Sequence, residues 1–209
     1  MTAKEKGIVH VSEMTGKLKG IASINTNSLS NAFCQKMAQN SNFVCSRCYA
    51  NERLSTYRKN CVTSFQWNSE ILSTKLLTET DEALPDLRGF HLVRFNSFGE
   101  LINDTHMLNI LTISRVNPDK VLSLYTKRHD LVRKYVNEIP SNLVLVSSNP
   151  YMDDLATDVP AMYDALFCVY TKPFAEKHKV KINCHGDCFS CRLCYTKGVK
   201  DIARELVKR

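Results

Sequence analysis

The chain has 209 residues, of which 44% are hydrophobic and 23% are charged. This composition predicts a single folded domain with a real core and excludes a chain that is disordered over most of its length. No apolar run approaches the roughly 20 residues that a membrane helix needs, and residues 1–6 are not followed by the apolar segment of a secretory signal. We therefore expect a cytoplasmic protein with no membrane partner.

Charge and cysteine content indicate the kind of partner and of cofactor to expect. Lys and Arg number 28 against 21 Asp and Glu, a formal net charge of +7, which favours an anionic small molecule or a nucleic acid as partner, although a solvated basic surface is the simpler interpretation. Nine cysteines in a reducing compartment are more typical of metal or iron–sulfur binding than of disulfides.

Hydrophobic periodicity predicts the secondary structure in chain order. A short strand at 8–11 is followed by irregular structure up to residue 62, and a helix is predicted at 63–79. Strands are then predicted at 91–95, 121–125, 143–146, 166–170 and 179–183. They alternate with helices predicted at 104–116, 129–138 and 159–164, the first of which begins at the predicted cap Asp104. A last helix is predicted at 199–207.

Alternating strands and helices indicate βαβ units and hence an α/β fold with a parallel sheet. About five to six strands are too few for a closed barrel of eight, so we expect a partial (β/α) barrel or an open parallel sheet with helices outside. The single domain would comprise an irregular cysteine-bearing segment (1–62), the β/α core (63–183) and a cysteine-rich end (184–209). In both architectures the carboxyl ends of the strands form the site.

The C-terminal cysteines carry a strong signal for metal. Cys184, Cys188, Cys191 and Cys194 fall within eleven residues. Thiolates are soft ligands for iron–sulfur clusters and zinc, and this close spacing favours a cluster, whose irons offer separate positions, over one zinc ion.

A second group consists of Cys34, Cys45 and Cys48, and two pairings are open for it. Cys45 and Cys48 would join Cys191 and Cys194 in one zinc site, or all three would hold a separate cluster with one iron left for a ligand. Cys61 and Cys168 are predicted to be small apolar core residues.

Several polar residues follow predicted strands and are candidates for ligand binding. Asn96, Ser97, Gly99 and Glu100 come after the strand at 91–95, and Lys127 follows the strand at 121–125. Glu100 would bind a ligand ammonium or act as a general base, and Lys127 would meet an anionic ligand. Arg94 lies within an apolar strand and needs a partner, either a ligand carboxylate or an acid such as Glu100.

The motif around Cys45 and Cys48, the run Arg94-Phe-Asn-Ser-Phe-Gly-Glu100 and the run Asn117-Pro-Asp-Lys-Val-Leu-Ser-Leu-Tyr-Thr-Lys127 resemble a phage-borne family known as gene product 88. More distantly, the cysteines and one loop resemble radical S-adenosylmethionine enzymes. That resemblance implies a 4Fe-4S cluster held by Cys34, Cys45 and Cys48 at the end of the first parallel strand, with S-adenosylmethionine on the open iron and Gly99-Glu100 contacting its amino group. The chain departs from the enzyme pattern in the ten residues between Cys34 and Cys45 and in Phe98, which replaces a glycine.

Two functions follow from these observations. The first is a radical-enzyme-like iron–sulfur protein with one or two 4Fe-4S clusters, which binds S-adenosylmethionine and modifies an anionic substrate with Glu100 and Lys127 as catalytic residues. The second is a non-catalytic module, stabilised by an iron–sulfur cluster or zinc, that binds a host protein or nucleic acid in the host cytoplasm.

Overall fold

The computed structural model describes residues 1–207 and contains a seven-stranded sheet. The strands are β1 (Ser12–Glu13), β2 (Ala22–Ile24), β3 (Leu92–Phe95), β4 (Val121–Thr126), β5 (Leu143–Met152), β6 (Ala165–Tyr170) and β7 (Asp201–Leu206). They lie side by side in chain order, with β1 antiparallel to β2 and every later pair parallel. The sheet is open and does not close into a barrel, so the predicted α/β fold is confirmed in its open-sheet form.

Seven α-helices accompany the sheet in the described part of the chain. They are α1 (Ala32–Ala38), α2 (Tyr49–Ser55), α3 (Val62–Thr74), α4 (Asp104–Arg115), α5 (His129–Lys134), α6 (Lys172–Lys177) and α7 (Cys188–Cys191). Short 3-10 turns lie at Gly16–Leu18, Val44–Arg47, Lys59–Cys61, Val136–Glu138 and Leu193–Tyr195.

One face of the sheet packs on α3, α4 and α5. Alternate residues of the central strands point to this face, because side chains along a strand alternate between its two sides. They form one cluster with the apolar faces of the three helices, and the strand members are Ala22, Ile24, Val93, Phe95, Leu122, Leu124, Leu143 and Leu145. Burial of each large apolar side chain contributes about 1.5–3 kcal/mol, so this face contains the main core.

The other face is covered by the cysteine-bearing segment 184–200. Tyr125, Val144 and Val146 pack there against Leu193 and Cys194. The Ser123 hydroxyl donates to the Cys194 carbonyl oxygen at 2.7 Å. The sheet is therefore sandwiched between helices on one side and the cysteine-rich segment on the other.

The N-terminal predictions were partly wrong. Residues 8–11 form no strand, because the backbone N–H of Val9 bonds the Ala83 carbonyl oxygen and that of His10 bonds the Asn68 side chain; the first strand is Ser12–Glu13. The segment 1–62 is also not irregular throughout, since it contains β2, α1 and α2. Three-residue β2 is too short to show a period, and its place in the sheet comes from pairing with β3.

The largest corrections concern the C-terminal end. The predicted strand at 179–183 is absent and the predicted helix over 199–207 is strand β7, which pairs with β6. Ile202 packs with Leu166 on the helical face, whereas Ala203 lines a cavity on the other face. A strand with apolar residues on both faces loses its alternation and imitates a helical pattern.

The central elements agree with their predictions to within a few residues, with four exceptions. Strand β5 continues to Met152 instead of ending at residue 146. The predicted helix at 159–164 is a turn, α3 ends at Thr74 instead of residue 79, and α5 is followed by a 3-10 turn instead of running to residue 138. Asn103, not Asp104, caps α4, because its side chain accepts from the His106 backbone N–H.

Candidate functional site

Buried polar side chains collect at the edge of the sheet where the parallel strands end. The carboxyl ends of parallel strands meet at one edge, which is where ligands bind in open α/β sheets. The polar residues at this edge that are less than a tenth exposed are Asn25, Thr26, Asn27 and Ser28 after β2, Asn96, Ser97 and Glu100 after β3, Thr126 at the end of β4, and Ser147, Ser148 and Asn149 in β5.

Helix α1 holds Cys34 at this edge. The Asn31 side chain caps the helix, its Oδ1 accepting from the backbone N–H groups of Phe33 at 2.9 Å and Cys34 at 3.3 Å. Its Nδ2 donates to the Glu100 carbonyl oxygen at 3.0 Å. One side chain therefore caps the helix and fastens it to the loop after β3.

The three N-terminal cysteines share a neighbourhood with Glu100 and Lys127. Burial raises the pKa of the Cys34 thiol, Glu100, Cys48 and Cys45 raise it further, and Lys127 lowers it. Burial also raises the pKa of Cys45, which Lys127 lowers and Cys48 and Glu100 raise. The structure thus brings Cys34, from α1, and Cys45, from a 3-10 turn, close enough to Lys127 and Glu100 to feel their charges, and Cys48, at the start of α2, lies near both thiols.

Glu100 is 5% exposed and its carboxylate already has protein partners. Oε1 accepts from the Leu101 N–H at 2.8 Å and the Thr126 hydroxyl at 2.5 Å, and Oε2 accepts from the Lys127 N–H at 2.8 Å. Burial raises the pKa of this carboxyl group, whereas Lys127 and the hydrogen bonds lower it. Glu100 therefore joins the ends of β3 and β4 and sets the position of Lys127.

Lys127 and Asn96 offer polar groups that the described residues do not saturate. The Lys127 ammonium donates to the Ser148 hydroxyl at 2.8 Å and forms no ion pair within residues 1–207. Asn96 has a positive φ of 60°, and its Nδ2 donates to the Tyr125 carbonyl oxygen at 3.3 Å. Its buried Oδ1 has no donor among the described residues.

Ser97 and Gly99 shape the loop after β3. The Ser97 hydroxyl accepts from the Ser23 hydroxyl at 2.8 Å, and its carbonyl oxygen accepts from the Tyr49 hydroxyl. Gly99 has a φ of 87°, and a Cβ at this position would lie 2.1 Å from the Thr26 hydroxyl oxygen. The loop can approach β2 this closely only because residue 99 has no side chain.

The C-terminal cysteines form a second group in a different place. Cys184, Cys188, Cys191 and Cys194 all line one cavity on the sheet face opposite the helices. The Asp187 side chain caps α7 by accepting from the Ser190 N–H at 3.2 Å. The two cysteine groups occupy separate sites, so the structure does not bring Cys45 and Cys48 together with Cys191 and Cys194, and the shared zinc site is not formed.

Burial is the main influence on the ionisation of Cys188 and Cys194. It raises the pKa of Cys194 to about 11, although Tyr125 and Arg94 lower it. It also raises the pKa of Cys188, and Arg94 and Lys17 oppose this increase. The thiols therefore need nearby positive charge to exist as thiolates at neutral pH.

Arg94 extends from β3 into the same cavity and is 8% exposed. Its guanidinium carbon lies 3.6 Å from the centre of the Tyr125 ring. Its Nε has no hydrogen-bond partner, and no carboxylate within residues 1–207 forms an ion pair with it. The alternative in which Arg94 pairs with Glu100 was wrong, because Glu100 is held by the ends of β3 and β4.

Two kinds of feature are absent from residues 1–207. No three His, Cys, Asp or Glu side chains are arranged to hold a metal ion. No helix in this part of the chain has the length and hydropathy to cross a bilayer.

Sequence reasoning missed the polar residues around β2. The Asn- and Ser-rich stretch 25–31 follows the end of β2, and Asn25, Thr26, Asn27 and Ser28 within it are buried. The available signal was the mostly apolar run Ile21-Ala-Ser-Ile24 just before it. Asn31, which holds the loop after β3, was also missed. Of the two cysteines expected in the core, Cys168 is 1% exposed, whereas Cys61 is only partly buried.

A family model described as Gene product 88 matches residues 2–165. No curated protein and no solved structure matches the chain. The comparisons give no support to the resemblance to radical S-adenosylmethionine enzymes. The matched region contains Cys34, Cys45, Cys48 and Glu100, and the four C-terminal cysteines follow it. Because the match covers well over half of the residues, the chain belongs to the Gene product 88 family.

Proposed function

We propose that this protein is an iron–sulfur enzyme whose three N-terminal cysteines hold a 4Fe-4S cluster that binds S-adenosylmethionine. The observation that carries the proposal is that Cys34, Cys45 and Cys48 lie near one another, with Lys127 close to the first two, at the carboxyl-end edge of a parallel sheet. A cluster with one free iron requires three thiol ligands and unsatisfied polar groups that can hold the ligand of that iron. This edge of the sheet offers both. The nine free cysteines suit a reducing compartment, and we place its work in the host cytoplasm.

The donor set suits a cluster better than a single ion. Thiolates are the usual protein ligands of iron–sulfur clusters, and each binds a different iron. Such ligands lie at separate positions around the cluster and need not converge on one point. The ligands of a tetrahedral zinc ion, in contrast, must all reach the same ion. Lys127 would offset part of the negative charge that thiolates bring to the site.

The polar groups at the edge suit the methionine part of S-adenosylmethionine, which carries a carboxylate and an ammonium group. The Lys127 ammonium is a donor for the carboxylate, and the unpartnered Oδ1 of Asn96 is an acceptor for the ammonium. Ser97 and Gly99 shape the loop beside it. Glu100 acts in this proposal as a positioning residue for Lys127, because both of its oxygens already accept protein hydrogen bonds.

S-adenosylmethionine supplies radical chemistry when it is cleaved by an electron from a reduced cluster, and the electron would come from an added reductant. The chain's own residues bind and orient it and exclude water. The formal charge of +7 supports an anionic substrate, whose charge would be attracted to the basic surface.

The test uses protein purified without oxygen. We expect iron and acid-labile sulfide in the wild-type protein, and 5′-deoxyadenosine after addition of S-adenosylmethionine and dithionite. Cys48→Ala should lose most of this product, whereas Cys61→Ala, which removes a cysteine outside both groups, should keep it.

Three results would overturn the proposal. Zinc without iron and sulfide would exclude the cluster. Iron-loaded protein without product would exclude the enzyme, and salt-sensitive binding of nucleic acid by such protein would favour the non-catalytic module. Unchanged product formation by Cys48→Ala would exclude the site.

A further inference from the structure

Arg94 presents a physical problem in the described structure. A guanidinium group is always charged, and burial of a charge without a partner is strongly unfavourable. The ring of Tyr125 compensates only in part, since a cation–π contact is weaker than the hydration that the buried guanidinium loses. A side chain that is 8% exposed and lacks an acid therefore points to an anion that belongs beside it.

The other charged groups around the cavity do not supply this anion. Lys17 is a second cation, and it is already paired with Glu205 at 2.7 Å. Arg192 is exposed and donates from its Nε to the Phe189 carbonyl oxygen at 3.1 Å. Asp187 also lines the cavity, but its carboxylate caps α7 by accepting from the Ser190 N–H, and it forms no ion pair with Arg94. Among residues 1–207 the other groups in the cavity that can become anions are the thiols of the C-terminal cysteines and the phenols of Tyr125 and Tyr195.

We propose that Cys184, Cys188, Cys191 and Cys194 bind a second metal centre, a tetrathiolate of net negative charge, and that Arg94 is its buried counter-charge. Four thiolates outweigh the charge of a zinc ion or of an oxidised 4Fe-4S core, so both centres are anionic. The tyrosines are poorer partners, because Tyr125 presents its ring to the guanidinium and the buried Tyr195 hydroxyl has no hydrogen-bond partner among residues 1–207. This inference goes beyond the proposed function and does not depend on it.

The local backbone suits such a centre. Cys188 and Cys191 are the first and last residues of α7 and lie three apart, which puts them on one side of the helix. Arg192 has a φ of 54°, so the chain reverses there and returns Cys194 to the cavity. Cys194 is then fixed to the sheet through the Ser123 hydroxyl at 2.7 Å. One short segment therefore supplies all four thiols that line the cavity.

The experiment counts iron, zinc and acid-labile sulfide per chain after purification without oxygen. Cys188→Ser and Cys194→Ser should each lose the metal of this centre, whereas Cys61→Ser should keep the wild-type content, with circular dichroism confirming the fold. Unchanged metal in the first two variants, or equal loss in all three, would overturn the inference. Iron with sulfide would identify a cluster and zinc without sulfide a single ion.

A second measurement tests Arg94 itself. Residues that contact metal ligands typically change metal affinity 10–100-fold when mutated, and we expect Arg94→Gln to weaken retention against a chelator by about this factor. Arg94→Lys keeps the charge and should restore part of the retention. Equal retention by the wild-type protein and Arg94→Gln would overturn the role of Arg94.

A variant with Cys34, Cys45 and Cys48 all replaced by Ala separates the two proposals. It should make no 5′-deoxyadenosine but retain the C-terminal metal. A folded variant without metal would overturn this inference and leave the enzyme proposal intact. A wild-type protein that loads the C-terminal centre but makes no 5′-deoxyadenosine would overturn the enzyme proposal and leave this inference intact.

Discussion

Gly99 shows how a single residue shapes the site. It has a φ of 87°, and a Cβ there would lie 2.1 Å from the hydroxyl oxygen and 2.6 Å from the carbonyl oxygen of Thr26. The carbonyl belongs to the backbone after β2, so it cannot move away cheaply. The loop that carries Glu100 is thus held against β2 by the absence of a side chain.

We predict that Gly99→Ala lowers the free energy of unfolding by about 3 kcal/mol or more, through the left-handed φ and the overlap with Thr26 together. Gly89→Ala is the matched control, because Gly89 has a φ of 83° and an added methyl carbon would have nothing within 4 Å of it. It should lose only about 1–2 kcal/mol, the cost of the φ alone. Urea denaturation followed by circular dichroism measures both, and equal losses would show that the contact with Thr26 does not matter.

At the scale of an element, the position of strand β7 depends on contacts with a single residue of another segment, Asp164. The Asp164 carboxylate, just before β6, accepts from the backbone N–H groups of Leu145 and Gly198, each at 2.8 Å, and from the Lys197 ammonium at 3.2 Å. Its carbonyl oxygen accepts from the Lys200 N–H at 2.7 Å. These bonds align the start of β7 with β6 and hold the end of the cysteine-bearing segment.

We predict that Asp164→Ala destabilises the protein by about 2–4 kcal/mol, because two backbone N–H groups lose their acceptor. The loss should be concentrated at β7, where amide hydrogen exchange would become faster first. Asp158→Ala removes an exposed carboxylate that bonds only the Thr157 hydroxyl among residues 1–207, and it should change neither quantity. Uniformly faster exchange over β3–β5 would contradict a local role for Asp164.

The errors in predicting elements have a common cause. The central strands and α4 carry their pattern locally, in runs such as Leu143–Val146 and in the apolar face of 104–116, and their predictions are confirmed. Strands β2 and β7 owe their state to pairing with β3 and β6. Such long-range pairing leaves no local period, so the short β2 shows no alternation and the two-sided β7 imitates a helix.

At the scale of the molecule, the order of strands and helices was enough to predict a parallel sheet and its polar carboxyl-end edge. Which cysteines meet was not predictable, because spacing along the chain does not tell which face of the sheet a segment covers. The structure places the C-terminal cysteines over the face that carries Arg94, and the N-terminal cysteines at the edge beside Lys127. The burial of Arg94 without an acid was equally invisible in sequence.

The separation of the two cysteine groups makes a prediction for the whole protein. If each group binds its own centre, each centre stabilises the segment that supplies its ligands, because metal binding favours the folded state of that segment. We predict that Cys48→Ala speeds amide exchange in α1, α2 and the turn between them, and that Cys188→Ser speeds exchange in 184–200 and β7. Strands β3–β5 should stay protected in both variants, since their core on α3 and α4 contains no cysteine.

Hydrogen exchange with mass spectrometry, on protein purified without oxygen, measures these effects segment by segment. Cys61→Ala should match the wild-type protein, because Cys61 belongs to neither group. Addition of a chelator to the wild-type protein should reproduce both patterns at once. If Cys48→Ala and Cys188→Ser speed exchange over the same residues, the two groups serve one centre and their division into two sites is wrong. If neither variant differs from Cys61→Ala, neither cysteine group stabilises its segment.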